Sequence, residues 1–334
     1  MGQTPSADHA RVLLIGGVVF DTVVPIFRMS ALACAGVQGN QIMTSKKKTL
    51  RLLMPQWQGG NNPVYYLGAQ LLYWLAPKGD AEFAEVPVAT PDGSQLPLEG
   101  GVLGKSAILK QNEAALSIIR QSAPDRIVTF GGDCSVSLAP FSYLSSRYVG
   151  DVAVLWVDAH FDLTSSDVST HAHGYPMLNL LGRGDEEFAA FAKHPIPTQR
   201  LAYVGIDKNT ISERSRRAVE ELKPKVFDPR ELSESFSEVT SWLKSTGASR
   251  LLVHFDLDVL DPVKFREQLF NNPAGLADQF KNSPTGKMDF ETVVDLLNKC
   301  AEVVDIVGLT IAEHLPWDAD NLRKALARLP ILAA

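Results

Sequence analysis

Four short, continuous apolar runs in this chain each lead into an acidic motif, and that coincidence constrains the fold more than any other feature. Residues 152–157 run into Asp158-Ala159-His160-Phe161-Asp162, and residues 251–255 into Asp256-Leu257-Asp258-Val259-Leu260-Asp261-Pro262. Residues 127–130 end in Gly131-Gly132-Asp133-Cys134-Ser135, and residues 306–311 lead to Glu313-His314. Apolar runs of this length, without polar alternation, suit strands buried on both faces of a parallel sheet. Ligand sites of open α/β sheets lie beyond the carboxyl ends of such strands, so the four motifs are expected in one crevice.

The rest of the chain supplies the alternation that a parallel sheet needs. Further strands are predicted at 50–53 and 201–206. Helical spacing is read at 63–74, opened by Pro63, and at 105–121, where Ile108, Ala115, Ile118 and Ile119 share a face. Other helical segments are predicted around 136–147, 211–221, 231–244, 290–303 and 319–328. This pattern predicts one α/β domain over residues 50–334 with a mainly parallel sheet. Proline and glycine punctuate 76–104 and 262–286, which read as excursions over the surface.

Residues 1–49 read as a leader, poorly ordered and contributing little to stability over 1–42. Its apolar stretch, 12–20, is far shorter than the ~20 residues a bilayer requires. A cleaved secretory signal is disfavoured by the charges within it. Met43-Thr44-Ser45-Lys46-Lys47-Lys48 resembles a fresh start before the first strand. Three scattered cysteines, Cys34, Cys134 and Cys300, exclude a disulfide framework and favour the cytoplasm. A formal charge of −6 over 334 residues gives no electrostatic footprint for nucleic acid or an anionic membrane.

In an extended segment, side chains two apart share a face. Asp158, His160 and Asp162 are therefore expected to point one way, and Asp256 and Asp258 likewise. Singly, such motifs are ordinary helix caps, turns or hydrogen-bonded loops. Together, four carboxylates beside an apolar sheet cost several kcal/mol per ion to desolvate, and burial raises their proton affinity. Divalent cations resolve that conflict, and this mix of oxygen and imidazole donors suits a borderline-hard ion such as Mn²⁺. Two bridging carboxylates suit a pair of ions roughly 3.5–4 Å apart.

In these motifs, and in His173-Gly174-Tyr175-Pro176, the sequence resembles the ureohydrolases, which include arginase, agmatinase and formimidoylglutamase. The resemblance spans roughly residues 50–330 and implies a three-layer α/β/α sandwich holding two Mn²⁺ per chain. It implies hydrolysis of a small guanidino or amidino substrate by a metal-bridging hydroxide, in a homo-oligomer, trimer or hexamer. Asp158 and Asp256 would bridge the ions, and His160 and Asp258 would complete one site. Cys134 and Asp162 would serve the other. Asp162, His173 and Glu313 would be catalytic: Asp162 on the hydroxide, His173 shuttling protons, Glu313 holding the guanidinium.

Three positions depart from the family pattern. Cys134 stands where a metal-ligating histidine is usual, leaving that site weak, empty or occupied by another metal. Thr164 replaces the asparagine with which arginases read an α-carboxylate, which argues against arginine as substrate. His314-Leu315-Pro316 follows Glu313 in place of a Val-Asn-Pro-like sequence. The Cys134 departure keeps open a non-catalytic binding subunit and a single-metal deacylase as alternatives.

Overall fold

The computed structural model describes residues 47–211 and 213–328. The expectation for the leader therefore lies outside the described residues over 1–46; at its end Lys47 pairs with Asp305, the Lys48 backbone bonds Asp125 and Arg126, and Thr49 already belongs to the first strand. The described elements begin with β1 (Thr49–Met54), α1 (Val64–Leu75), β2 (Glu82–Glu85), β3 (Leu98–Glu99), β4 (Val102–Leu103) and α2 (Lys105–Ser122). The middle of the chain forms β5 (Arg126–Gly131), α3 (Leu138–Arg147), β6 (Val152–Val157), α4 (Pro176–Leu180), α5 (Glu186–Ala189) and β7 (Leu201–Val204). There follow α6 (Glu213–Leu222), β8 (Lys225–Phe227), α7 (Ser237–Thr246), β9 (Arg250–Asp256), α8 (Phe290–Ala301), β10 (Asp305–Ala312) and α9 (Trp317–Leu326).

Eight strands form one sheet in the order β2-β1-β5-β10-β9-β6-β7-β8. Every pairing in it is parallel, and the only antiparallel pair among the described residues is the small β3–β4 ribbon. The four central strands, β5, β10, β9 and β6, are the four whose carboxyl ends lead into the acidic motifs. Their adjacency is what gathers residues from position 134 to position 313 into one place.

Side-chain parity divides the sheet into two buried faces. Val152, Val154 and Trp156 of β6, with Leu252 of β9, point into a core shared with Ile108 and Ile119 of α2, Phe141 and Leu144 of α3, and Leu222 of α6. Ala153, Leu155 and Val157, with Leu251, Val253 and Phe255, point the other way, towards Val239 and Leu243 of α7 and Val293 and Leu296 of α8. The chain is thus a three-layer α/β/α sandwich. Asp158 and Asp256 continue the first of these two stripes, so the metal-ligating candidates stand at the end of an otherwise apolar face. Among the described residues no helix is long and apolar enough to cross a membrane.

The structure corrects three details of the reading from sequence. Segment 76–104 contains β2 and the β3–β4 ribbon, and β8 was also missed; β2 and β8 are the sheet's edges, β2 largely exposed and β8 only three residues long, and neither has an apolar run. The helix expected from Glu231 begins only at Ser237, because Phe236 adopts a left-handed φ of 50°. Segment 262–286 is more than a surface excursion: its single turns at Leu269–Asn271 and Asp278–Phe280 bring Leu269, Phe270 and Phe280 over the crevice.

Candidate metal centre

At the carboxyl edge of the sheet the candidate ligands converge, by turns rather than by the strand alternation expected. β6 stops at Val157, and Asp158 Oδ1 accepts the backbone N–H of His160 at 2.6 Å, folding the chain back. Asp162 then takes a left-handed φ of 49°, rare for a residue with a side chain. On β9, Asp256 Oδ1 accepts the N–H of Asp258 at 2.7 Å and opens a single turn over Leu257–Val259. Two donor groups share Asp158: Asp158, His160 and Asp258 on one side, and Cys134, Asp158, Asp162 and His254 on the other; a third, Cys134, His173 and Glu313, adjoins the second through Cys134. Within each, one ligand atom per residue lies within 4.8 Å of the rest. Asp256 belongs to none of these groups but touches the second through Cys134, its Oδ2 receiving the thiol at 2.9 Å.

The loop carrying Cys134 depends on close backbone approach. A Cβ on Gly132 would sit 1.8 Å from the Gln56 carbonyl oxygen, so only glycine fits there. Asp133 organises this loop instead of facing the ions: its carboxylate accepts from Gly59 N at 2.8 Å, Ser135 N at 3.0 Å and Gln56 Nε2 at 3.0 Å. The Gly132 carbonyl accepts Glu313 N–H at 2.7 Å and ties the end of β10 to the same loop.

The electrostatics show a site short of positive charge. Burial, then the neighbouring Asp258, pushes Asp158 up to about 6. Burial and the nearby carboxylates hold Asp162 and Asp256 well above the usual carboxylate range, and push the Cys134 thiol up as well. Burial works against the charge of Asp258 too, but His160 Nδ1 at 3.0 Å outweighs it and lowers that carboxyl. The same contact holds a proton on His160 despite its burial. Asp162 Oδ2 and Asp258 Oδ1 are buried with no hydrogen-bond partner among the described residues. Buried carboxylate oxygens without donors, beside an imidazole and a thiol, are the donor set that divalent cations would complete. The residues fit the metals that the resemblance implies.

Glu313, on a left-handed backbone of φ 65°, faces the Cys134 side. Its Oε1 lies 3.2 Å from His173 Nδ1 and accepts the Cys134 N–H at 3.3 Å; its Oε2 accepts the Tyr65 hydroxyl. Burial pushes Glu313 up to about 8. Burial, then His171 and His160, push His173 down to about 3, so the pair is uncharged at neutral pH. Beyond these residues opens a cavity of about 240 Å³ walled by Leu163, Ile206, Ile211, Leu269, Phe270 and Phe280. Thr164 also lines it, with its hydroxyl donated to the Gly174 carbonyl at 2.8 Å.

Seven of the eight residues singled out from sequence (Cys134, His160, Asp162, His173, Asp256, Asp258 and Glu313) line this one cavity, and the eighth, Asp158, is fully buried behind it among the same ligand atoms. Three others escaped notice. His254 lies inside an apolar run and Tyr65 inside an apolar helix, where one polar group reads as core. Trp156, whose Nε1 donates to Asp158 Oδ2 at 2.9 Å, reads as packing alone. Each has only a chain position as signal: two residues before a motif aspartate for Trp156 and His254, none for Tyr65.

Comparison with known proteins agrees with this geometry. The model of the arginase family matches residues 77–265, more than half of the chain and all of the candidate ligands except Glu313. An arginase of Staphylococcus aureus (strain MRSA252) is 26% identical over 144 residues, covering 41% of this chain and 47% of that protein. An arginase of Glycine max is 24% identical over 215 residues, covering 64% and 53% respectively. The chain thus spans about half the length of the curated relatives it matches. Among solved structures, Entamoeba histolytica arginase in complex with L-ornithine superposes with a TM-score of 0.62 at 18% identity, over 81% of this chain and 91% of that one. Formimidoylglutamase of Bacillus subtilis gives 0.59 at 15%, over 82% and 81%. Fold, gathered ligands and family model converge on one conclusion: this chain belongs to the arginase family.

Proposed function

We propose that the chain is a metal-dependent hydrolase of linear carbon–nitrogen bonds, acting on a small guanidino or amidino compound other than arginine. The observation that carries this reading is the convergence of Asp158, Asp162, Asp256, Asp258, His160 and Cys134 at the ends of adjacent strands, with carboxylate oxygens left unpartnered. Asp158 and Asp256 would bridge two divalent ions, His160 and Asp258 completing one site and Cys134 and Asp162 the other. Bound there, the ions supply Lewis acidity and lower the pKa of a ligated water towards 7, which a resonance-stabilised guanidinium carbon requires of its attacker.

The protein's own groups do the remaining work. Glu313 receives the substrate cation: a guanidinium beside it favours the carboxylate that burial otherwise disfavours, and charge-assisted hydrogen bonds orient the carbon. Tyr65 and the Cys134 N–H hold that carboxylate in place. His173, neutral in the free site, becomes more basic once the substrate cation ionises Glu313 beside it, and can then pass a proton to the departing nitrogen. Water adds to the amidino carbon, the carbon–nitrogen bond breaks, and the amine leaves with a proton; a guanidino substrate yields urea. Phe270, Phe280 and Leu269 limit water above the reacting groups and favour an apolar substrate tail. Thr164, already bonded to Gly174, does not offer its proton to an α-carboxylate. The resemblance further supports a cytoplasmic homo-oligomer with Mn²⁺ on the His160 side.

The test is reconstitution of metal-stripped protein with Mn²⁺, followed by a panel of alkyl, aryl and amino-acid guanidines and amidines assayed for urea and ammonia. Release that needs metal, prefers apolar tails over arginine and is abolished in Asp158→Asn is expected. Absence of turnover across the panel with metal fully bound would overturn the proposal.

A further inference from the structure

His254 is a buried histidine for which the ligand set above has no use. Its side chain is fully enclosed, stacked on Trp156 at 3.7 Å between ring centres and 10° between planes. Ser137 Oγ, on the turn that follows Cys134, engages Nδ1 at 2.8 Å. Nε2 is left with no partner among the described residues, in a chain interior where such a nitrogen is costly. Its position puts the ring beside the candidate ligands. His254 precedes Asp256 by two residues on β9 and is registered opposite Trp156, so it shares the stripe that ends in Asp158 and Asp256. A ring nitrogen lies within 4.8 Å of ligand atoms from Cys134, Asp158 and Asp162 together. With Nδ1 held by a second group, this is the arrangement by which proteins fix the tautomer and direction of a metal-ligating imidazole.

We infer that His254 supplies the imidazole that the Cys134 loop lacks, making the Cys134 side a sulfur, nitrogen and oxygen site for a softer ion of the Zn²⁺ type. The neighbouring Asp158–His160–Asp258 side, with no sulfur, keeps a harder ion of the Mn²⁺ type. The inference rests on the proposed function, and replaces two like metals by an unlike pair. Its chemistry follows from the donors: thiolate and imidazole select zinc over manganese, and four-coordinate zinc is satisfied by Cys134, His254, Asp158 and Asp162, which relieves Asp256 of a bridging role on this side. An imidazole arriving from the strand beneath also permits the usual histidine of the loop to be exchanged for the smaller cysteine without leaving the ion nitrogen-free.

Metal-stripped full-length protein, incubated with equimolar Zn²⁺ and Mn²⁺ and desalted, should retain both metals in equal amounts by elemental analysis. His254→Phe combined with Ser137→Ala keeps the ring stack and leaves no hydroxyl unpaired; it should hold manganese and bind zinc at least about tenfold more weakly. A second measurement needs no variant: in ¹⁵N-histidine-labelled wild type loaded with ¹¹³Cd²⁺, one resonance absent from the double variant should show nitrogen–cadmium coupling. Retention of manganese alone at both sites, zinc binding unchanged in the folded double variant, or cadmium binding without that coupling would each overturn the inference and leave the hydrolase reading standing. Failure of wild type to bind any of these ions would overturn both.

Discussion

Replacing Glu313 by glutamine should change how the metal-free protein responds to pH, by an amount the structure supplies. Burial raises the Glu313 carboxyl from 4.5 to about 8, so between those values the folded protein holds a proton that the unfolded chain has released. Stability from this group is full below pH 4.5 and is lost as pH rises towards 8. Integrating the difference from pH 6.5 to pH 8 gives a loss on the order of 2 kcal/mol from this residue alone. Other groups titrate in the same window, His160 among them, so the informative quantity is wild type minus Glu313→Gln. Glutamine has the same shape and no proton to lose, and it removes only the Glu313 contribution. Urea denaturation in the presence of a chelator at pH 6.5, 7.25 and 8 measures it. Wild type should lose on the order of 2 kcal/mol more than the variant across the range. Parallel curves would mean that Glu313 is already ionised in the fold, and the account of an uncharged Glu313–His173 pair awaiting a cation would be wrong.

Three further perturbations follow from contacts around the site. Trp156→Phe removes the donor to Asp158 Oδ2 and should weaken metal binding about ten- to a hundredfold, read by calorimetric titration of stripped protein. Tyr65→Phe removes the hydroxyl on Glu313 Oε2 and should cost about 1–3 kcal/mol in kcat/KM for the best substrate of the panel, with metal content unchanged by elemental analysis. Gly132→Ala drives a methyl group into the Gln56 carbonyl; it should destabilise by about 3 kcal/mol or more, seen as a lowered melting temperature or loss of soluble protein.

What could be read in the sequence was decided by burial. β6 matches its expected bounds, and β5, β9 and β10 match within a residue or two at each end, because strands covered on both faces must be apolar throughout and stand out from their surroundings. β2 and β8 have one neighbour each; β2 is largely exposed and β8 spans only three residues, too few to stand out as an apolar run. The acidic motifs were legible because several buried carboxylates in one chain need an explanation. Their route to convergence was not: the turn closed by Asp158 and the left-handed backbone at Asp162 and Glu313 depend on hydrogen bonds and packing from distant segments. His254 was concealed by the logic that revealed the strands, since one imidazole in an apolar run passes for core until its unpartnered nitrogen is seen.

The position of β10 has a consequence for the birth of the molecule. This strand, close to the end of the described chain, pairs with β5 on one side and β9 on the other. Until residue 312 has left the ribosome, the chain can form only two partial sheets, β2-β1-β5 and β9-β6-β7-β8, each showing a raw central edge to the cell. Pairings this distant in sequence close slowly, and nascent chains waiting for them are prone to stick to one another. Glu313 arrives with that same strand, so the pocket for a cation is completed in the step that zips the halves together. Ions captured earlier by Asp158 and Asp256, which stand on the same half, would wait in an open site until synthesis has passed β10.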